Sequence, residues 1–253
     1  MCFNVQDLKL QPTADGSHTF CAPAINESYH SIHGAINEST FIFIEQGLRA
    51  CSKTPVSVLE IGFGTGLNAL LTALEANRAS KKIDYSTLEL YPVPVQNALQ
   101  LNYPQLLENA GELFEKIHRA PWETAVEINP FFVLHKIKTD FTTYPLKGMY
   151  DVIYFDAFSP EKQPEMWCES CFQKIMDHCN PDAVLTTYCA KGTVRRVLQK
   201  VGFQVERLPG PLGKREILRG NKNNSMFKGP GSRKRGALNS QHPLPSSKEN
   251  TER

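Results

Sequence analysis

The sequence predicts an α/β fold, doubly wound around a mostly parallel, seven-stranded sheet that an antiparallel C-terminal hairpin closes. Three observations predict it. The first is the passage Glu60-Ile61-Gly62-Phe63-Gly64-Thr65-Gly66-Leu67-Asn68, which directly follows an apolar run from Val56 and directly precedes a helical pattern. A strand that feeds a helix through glycines lets the backbone approach a ligand that side chains would hold off. The second is the repeated alternation of strand and helix patterns from residue 56 onward, which is the signature of a Rossmann-like parallel sheet. The third is the pair of strand patterns at the end of this region, which have only Pro209-Gly210-Pro211-Leu212-Gly213 and one more residue between them. That connection is too short for a crossover helix, so the pair runs antiparallel.

Each element follows from its residues. Up to about residue 51 the alternation is missing, although 18–21 and the apolar run 41–44 have strand character, and this part reads as an N-terminal extension packed on the core. Strand 56–61 leads through the glycines to helix 67–78, with Leu67, Leu70, Leu71 and Leu74 on one face. Strand 83–90 ends at Tyr91-Pro92, and a helix through 95–101 follows. A helix to about residue 117 precedes strands 125–128 and 132–137, which pair as a hairpin around Asn129-Pro130. The apolar strand 150–155 stops at Asp156. A helix over about 164–177, strand 183–188, helix 193–201 and the closing strands 203–208 and 215–218 complete the core, which spans 52–219. Residues 220–253 are rich in Asn, Ser, Gly, Pro, Lys and Arg, a composition that predicts a disordered basic tail.

With 253 residues and 41% hydrophobic content, the chain suits one α/β core with appendages better than two full domains. It holds no run long enough to span a membrane, and its first residues lack the basic and apolar regions of a signal peptide, so a cytoplasmic protein without membrane contact is expected. Seven scattered cysteines fit reduced thiols there. The net charge of +2 hides an asymmetry: residues 191–253 carry 15 Lys and Arg against 4 acids, and the rest of the chain 13 against 22. A basic end of this kind is a footprint for a polyanion, or a solvated tail without a partner.

The glycine spacing separates cofactors. A dinucleotide loop reads G-x-G-x-x-G and would place its third glycine at position 67, which is Leu67, and no Gly-Lys-Ser/Thr follows to make a phosphate-binding Walker loop. The loop therefore fits S-adenosylmethionine, with Gly62, Gly64, Gly66 and Asn68 in the cofactor site, and the closing hairpin matches the class I methyltransferase topology. Ligands of such sheets bind beyond the carboxyl ends of the strands, where four carboxylates fall. Glu60 is placed to orient the loop or accept from the methionine ammonium, Glu89 to accept from ribose hydroxyls and Asp140 from the adenine amino group. Asp156-Ala157-Phe158-Ser159-Pro160 leaves its strand beside the loop, where a methyl group would be presented. An amine that attacks that methyl needs acceptors to aim its lone pair and a group to take its proton, roles that suit Asp156, with Phe158 walling off water. His30 and His33 are candidates for substrate contact or loop capping; Lys214, Arg215, Arg195 and Arg196 are candidates for phosphate contact or ordinary surface charge. Cys168-Glu169-Ser170-Cys171 has no second ligand pair and falls within a predicted helix, so neither a zinc nor a redox role is expected, and no metal is.

Together these stretches resemble the tRNA (5-methylaminomethyl-2-thiouridine) methyltransferases, the MnmC-like methyltransferase domain. The passages that carry the resemblance are residues 27–39, the loop 60–68, Asp156-Ala157-Phe158-Ser159-Pro160 continuing to Pro164-Glu165-Met166-Trp167, residues 187–196, Gly202-Phe203 and Gly213-Lys214-Arg215-Glu216. The resemblance implies transfer of a methyl group from S-adenosylmethionine to the aminomethyl substituent of a wobble uridine in tRNA. It places Asp156 at the target amine and Glu60, Glu89 and Asp140 in the cofactor site; Asp156 is expected to border the cofactor as well, and His30, His33, Ser159, Lys214 and Arg215 are the expected substrate contacts. Some family members are fused to a flavin-dependent oxidase; this chain is too short to hold one, so methylation alone is expected. Cys189 and Gln163 stand where the pattern suggests Ser and Asn, and the tail matches nothing. Two other readings stay open on the sequence: a class I methyl- or aminopropyl-transferase acting on a small amine, and a non-catalytic RNA-binding module with the same fold.

Overall fold

A computed structural model describes residues 7–222. The chain opens with an antiparallel meander of β1 (Lys9–Pro12), β2 (His18–Ala22) and β3 (Glu27–Ser28). Helix α1 (Ala35–Ser39) then runs into a π-helical segment, Thr40–Glu45. The strand expected at 41–44 is thus helical. An unbroken apolar run has no period of its own, and here Ile42, Phe43 and Ile44 are all buried against the core.

The large sheet comprises β4 (Val56–Ile61), β5 (Ile83–Glu89), β6 (Ala125–Asn129), β7 (Phe132–Lys138), β8 (Tyr150–Phe155), β9 (Cys179–Thr187), β10 (Gln204–Pro209) and β11 (Glu216–Asn221). Its order is β10-β11-β9-β8-β4-β5-β7-β6, eight strands rather than seven, because the hairpin at 125–138 adds β6 as an antiparallel edge. The centre is parallel, and at the other edge β11 runs antiparallel to both of its neighbours, β9 and β10. The first residues of the expected tail belong to the sheet, since Gly220 and Asn221 finish β11, paired with Leu185 and Val184; residues 223–253 lie outside the described residues.

The helices are α2 (Leu67–Ala79), α3 (Val95–Ala98), α4 (Tyr103–Leu106), α5 (Ala110–Arg119), α6 (Glu169–Asp177) and α7 (Gly192–Lys200). Two are shorter than their patterns predict. The helix expected over 95–101 ends at Leu99 as the single turn α3, and a new turn, α4, starts at Tyr103-Pro104. The helix expected over 164–177 breaks at Cys168, whose backbone is extended, into a 3-10 turn Pro164–Trp167 and α6. Cys168 therefore caps α6 rather than lying within a helix. Among the described residues no helix is long and apolar enough to cross a membrane, and no group of three His, Cys, Asp or Glu side chains is placed to hold a metal ion.

Double winding is written in the central strands. Alternate side chains of β8 face opposite ways: Val152 and Tyr154 join the core under α2 and α5, and Ile153 and Phe155 the core under α6 and α7. One buried cation braces the first of these cores. Lys136 Nζ donates to the carbonyls of Ile117 and His118 at the end of α5, both at 2.9 Å, and lies 4.9 Å from the Trp122 ring centre. Lys136→Met keeps the stem but strands two carbonyls, and urea unfolding is expected to show a loss of about 1–3 kcal/mol.

Candidate active site

The connections from β4 and β8 diverge, one toward β5 and β7 and the other toward β9, so the sheet changes direction between these two neighbours. A crevice forms at such a switch point. A cavity of about 470 Å³ occupies it.

The glycine loop forms its floor. Gly62 has φ +96°, and a Cβ there would lie 2.6 Å from the Asp156 carbonyl oxygen. Its N–H donates to Leu88 O at 2.9 Å, while the Asp156 N–H donates to Ile61 O at 3.0 Å, so loop and strand end are drawn into contact. A Cβ on Gly64 would stand 3.0 Å from the Tyr29 ring. Gly66 caps α2 in left-handed backbone, and beside it His118 Nε2 lies 3.1 Å from Thr65 O. Burial, with the nearby Lys136 charge, pushes His118 down to about 3, so the ring is neutral and Nε2–H donates.

Glu89 ends β5 and lines the cavity. Its carboxyl accepts from the N–H groups of Gly64 at 3.0 Å and Tyr91 at 2.8 Å, and burial raises its pKa against those bonds. Asp140 also lines the cavity, two residues beyond β7, and accepts from the Thr142 N–H at 2.8 Å and hydroxyl at 2.6 Å. Backbone that only glycine leaves open, beside a carboxylate at the end of β5, fits the S-adenosylmethionine expected there.

Asp156 sits across the loop from Glu89. Asn68 Nδ2 donates to Asp156 Oδ2 at 2.8 Å. Burial pushes Asp156 up to about 7, with Glu38 adding to the rise and Asn68 and Lys214 opposing it. Glu38 and Lys214 form an ion pair at 3.2 Å, and the lysine ammonium lies 4.8 Å from the Tyr188 ring centre. The Asp156 loop is held from three directions: Phe158 N–H donates to Gln163 Oε1 at 3.1 Å, Trp167 Nε1 to Phe158 O at 2.8 Å, and the Tyr188 hydroxyl to Ala157 O at 2.9 Å. Tyr29 packs on Phe158 with centroids 5.1 Å apart, which brings the N-terminal meander over the mouth.

The structure gathers Gly62, Gly64, Asn68, Glu89, Asp140, Asp156, Phe158, His30 and Lys214 around the cavity. His30 sits between Thr19 Oγ1 at 3.1 Å and Thr65 Oγ1 at 3.5 Å, and burial pushes it down to about 4, so it is a neutral brace between meander and loop. Five expected residues lie off the lining: Glu60, Gly66, His33, Ser159 and Arg215. Glu60 is fully buried beneath α2, Ser159 donates through its N–H and hydroxyl to Glu27 at 3.1 and 3.0 Å, His33 packs on Gly213, and Arg215 is exposed. Sequence reasoning missed Tyr29, Glu38 and Tyr188. Tyr188 follows β9 and was open to the strand-end rule; the other two lie within the matched passage 27–39, where nothing local marks them.

Fold and site define a class I, nucleotide-cofactor-dependent transferase. A family profile described as S-adenosyl-L-methionine-dependent methyltransferase matches residues 97–223, and the chain belongs to that family as an MnmC-like methyltransferase domain. Its cofactor is S-adenosylmethionine. Similar curated proteins include the tRNA 5-methylaminomethyl-2-thiouridine biosynthesis bifunctional protein MnmC of Pseudomonas savastanoi pv. phaseolicola, 30% identical over 77% of this chain and 32% of that protein. The protein of that name from Aromatoleum aromaticum is 30% identical over 85% of this chain and 36% of its own length. The chain thus spans about a third of the length of the curated relatives it matches. Among solved structures, MnmC2 of Aquifex aeolicus superposes with a TM-score of 0.68 at 24% identity, covering 86% of this chain and 72% of that one. Spermidine synthase of Thermotoga maritima gives 0.54 at 14% identity over 87% and 75%. These structural likenesses concern the fold alone.

Proposed function

We propose that the protein methylates the aminomethyl nitrogen of 5-aminomethyl-(2-thio)uridine at the wobble position of tRNA, giving 5-methylaminomethyl-(2-thio)uridine. The observation that carries this reading is the place of Asp156: a carboxylate at the switch point, steadied by Asn68, with Glu38 as a second carboxylate near it and aromatic rings around it. A net charge of one carboxylate and aromatic walls suit an alkylammonium. The names of the similar proteins supply the tRNA nucleoside.

S-adenosylmethionine, when bound, supplies a methyl group on a positively charged sulfur. Ionised Asp156, steadied by Asn68, receives the substrate ammonium and takes one proton from it; its other oxygen then accepts a remaining N–H, so that the lone pair turns from the carboxyl toward the methyl site. With the cofactor bound, the nitrogen would take the methyl and the sulfur would keep the electrons of the bond it loses; Asp156 passes its proton to solvent. Phe158 and Tyr29 keep water from the nitrogen. The Glu38–Lys214 pair keeps the net charge beside Asp156 close to that of one carboxylate. Gly62, Gly64, Glu89 and Asp140 hold the cofactor, and the basic C-terminal quarter supplies phosphate contacts to the tRNA.

The test is incubation with labelled S-adenosylmethionine and tRNA carrying the aminomethyl group, then nucleoside analysis. Label is expected in the methylaminomethyl nucleoside, with tRNA binding that weakens as salt rises. Label in a free diamine and none in tRNA would instead favour a small-amine transferase. Because Asp156 acts ionised, kcat/KM is expected to rise with pH through about 7.

A further inference from the structure

Beneath α2 the sheet carries polar side chains that do not reach the cavity. In the parallel register Glu60 stands beside Thr87 of β5 and Tyr154 of β8, and Tyr85 precedes Thr87 by two residues on the same face. Helix α2 covers this face with Asn68 and Thr72: the Thr72 hydroxyl donates to Asn68 O at 2.7 Å and lies 3.3 Å from the Tyr154 hydroxyl. Glu60 faces the Thr87 hydroxyl, the Asn68 amide and the Tyr85 hydroxyl. Yet both of its oxygens, the two hydroxyls and Asn68 Oδ1 are buried without a well-formed hydrogen bond. Each such atom left unpaired costs about 1–3 kcal/mol, so a native core brings them into one closed network.

Burial favours a neutral carboxyl and outweighs Thr87, Asn68 and Tyr85, whose hydrogen bonds favour the charged form. Ionised, Glu60 would be a buried anion, separated from a second carboxylate, Asp156, by a single neutral amide. Protonated, it gains an O–H donor and keeps a carbonyl acceptor, which with Tyr85 and Thr87 gives the donors that Asn68 Oδ1 and the Glu60 carbonyl need. The groups around the two acids divide the same way: Glu60 faces Tyr85, Tyr154 and Asp156, whereas Asp156 faces Lys214 as well as Glu38 and Tyr188. Burial, with Asp156 adding, pushes Glu60 up to about 8.

We propose that Glu60 is a positioning residue for methyl transfer, a neutral hydrogen-bonding group that fixes the Asn68 amide so that Nδ2 stays on Asp156, and that it makes no contact of its own with the cofactor. The inference rests on Asp156 as the partner of the substrate amine, and its test does not use tRNA. In full-length Glu60→Gln and Glu60→Leu proteins, S-adenosylmethionine is titrated calorimetrically, and the Asp156 carboxyl is titrated by NMR with 13C-labelled aspartate, its signal assigned by loss in Asp156→Asn. Glu60→Gln is expected to bind the cofactor within about threefold of the parent, since threefold is under 1 kcal/mol, and to leave the Asp156 midpoint in place. Glu60→Leu frees Asn68 and is expected to raise that midpoint by about half a pH unit or more, because a donor that favours the charged form loosens.

A loss of cofactor affinity beyond about tenfold in Glu60→Gln would assign Glu60 to the cofactor and overturn the proposal. So would a lowered Asp156 midpoint in that variant, which would mark Glu60 as anionic. An unchanged midpoint in a folded Glu60→Leu would remove the positioning role. Should Glu60→Leu not fold, the Glu60→Gln pair of measurements decides alone. Failure of the wild type to methylate tRNA would sink the substrate reading and leave these results standing.

Discussion

Asp156→Ala is expected to lower turnover on aminomethyl tRNA by about 10²- to 10⁴-fold, the range for loss of a group that positions and deprotonates a nucleophile, while S-adenosylmethionine still binds. The separation follows from geometry. The Asp156 main chain meets the glycine loop through its carbonyl, which alanine keeps, whereas the side chain turns to Asn68 and the cavity. Alanine thus leaves the cradle and removes the acceptor. Asp156→Asn is the finer probe, since it keeps the size of the group but neither the charge for an ammonium nor a site for its proton, and it is expected to lose turnover nearly as far. Calorimetry with the cofactor and single-turnover methylation check both. Equal loss of binding and turnover would reassign Asp156 to the cofactor.

The parts of this site that were legible in the sequence are those made by one local stretch. Strand, glycines and helix succeed one another within residues 56–79, and Asp156 ends an apolar strand, so both lie where an open parallel sheet binds ligands. Glu38 and Tyr29 were not legible as site residues, because α1 and the meander bring them to the cavity only through tertiary packing, whereas Tyr188 was open to the strand-end rule. The same limit explains Glu60. Its position before the glycines suggests a cofactor contact, but side chains alternate along β4, and Glu60 shares the face of Val56 and Val58 under α2. The run 41–44 fails for another reason: four apolar residues carry no period that separates strand from buried helix. Ser159 and Lys214 have the polarity expected of substrate contacts, and the fold binds them to Glu27 and Glu38.

Gly62→Ala is expected to abolish measurable S-adenosylmethionine binding at ordinary concentrations, with a loss of at least about 100-fold, or 2.7 kcal/mol. Two effects add at this position. A residue with a Cβ at φ +96° pays about 1–2 kcal/mol for left-handed backbone. The new methyl would also stand 2.6 Å from the Asp156 carbonyl oxygen, a backbone atom with no rotamer by which to move aside. Relief requires the loop to lift from the end of β8, breaking the Gly62 N–H bond to Leu88 O and the Asp156 N–H bond to Ile61 O that hold the cradle in register. Gly148→Ala isolates the first effect, since Gly148 has φ +82° and nothing within 4 Å of the added Cβ. That control is expected to lose only about 1–2 kcal/mol of stability in urea and to keep the cofactor. If Gly62→Ala loses no more than Gly148→Ala in stability and binding together, the close approach of loop to strand is not what makes the site. If it loses cofactor while staying folded, the loop and Asp156 form one unit, in which the backbone contact that places the methyl donor also places the acceptor for the amine.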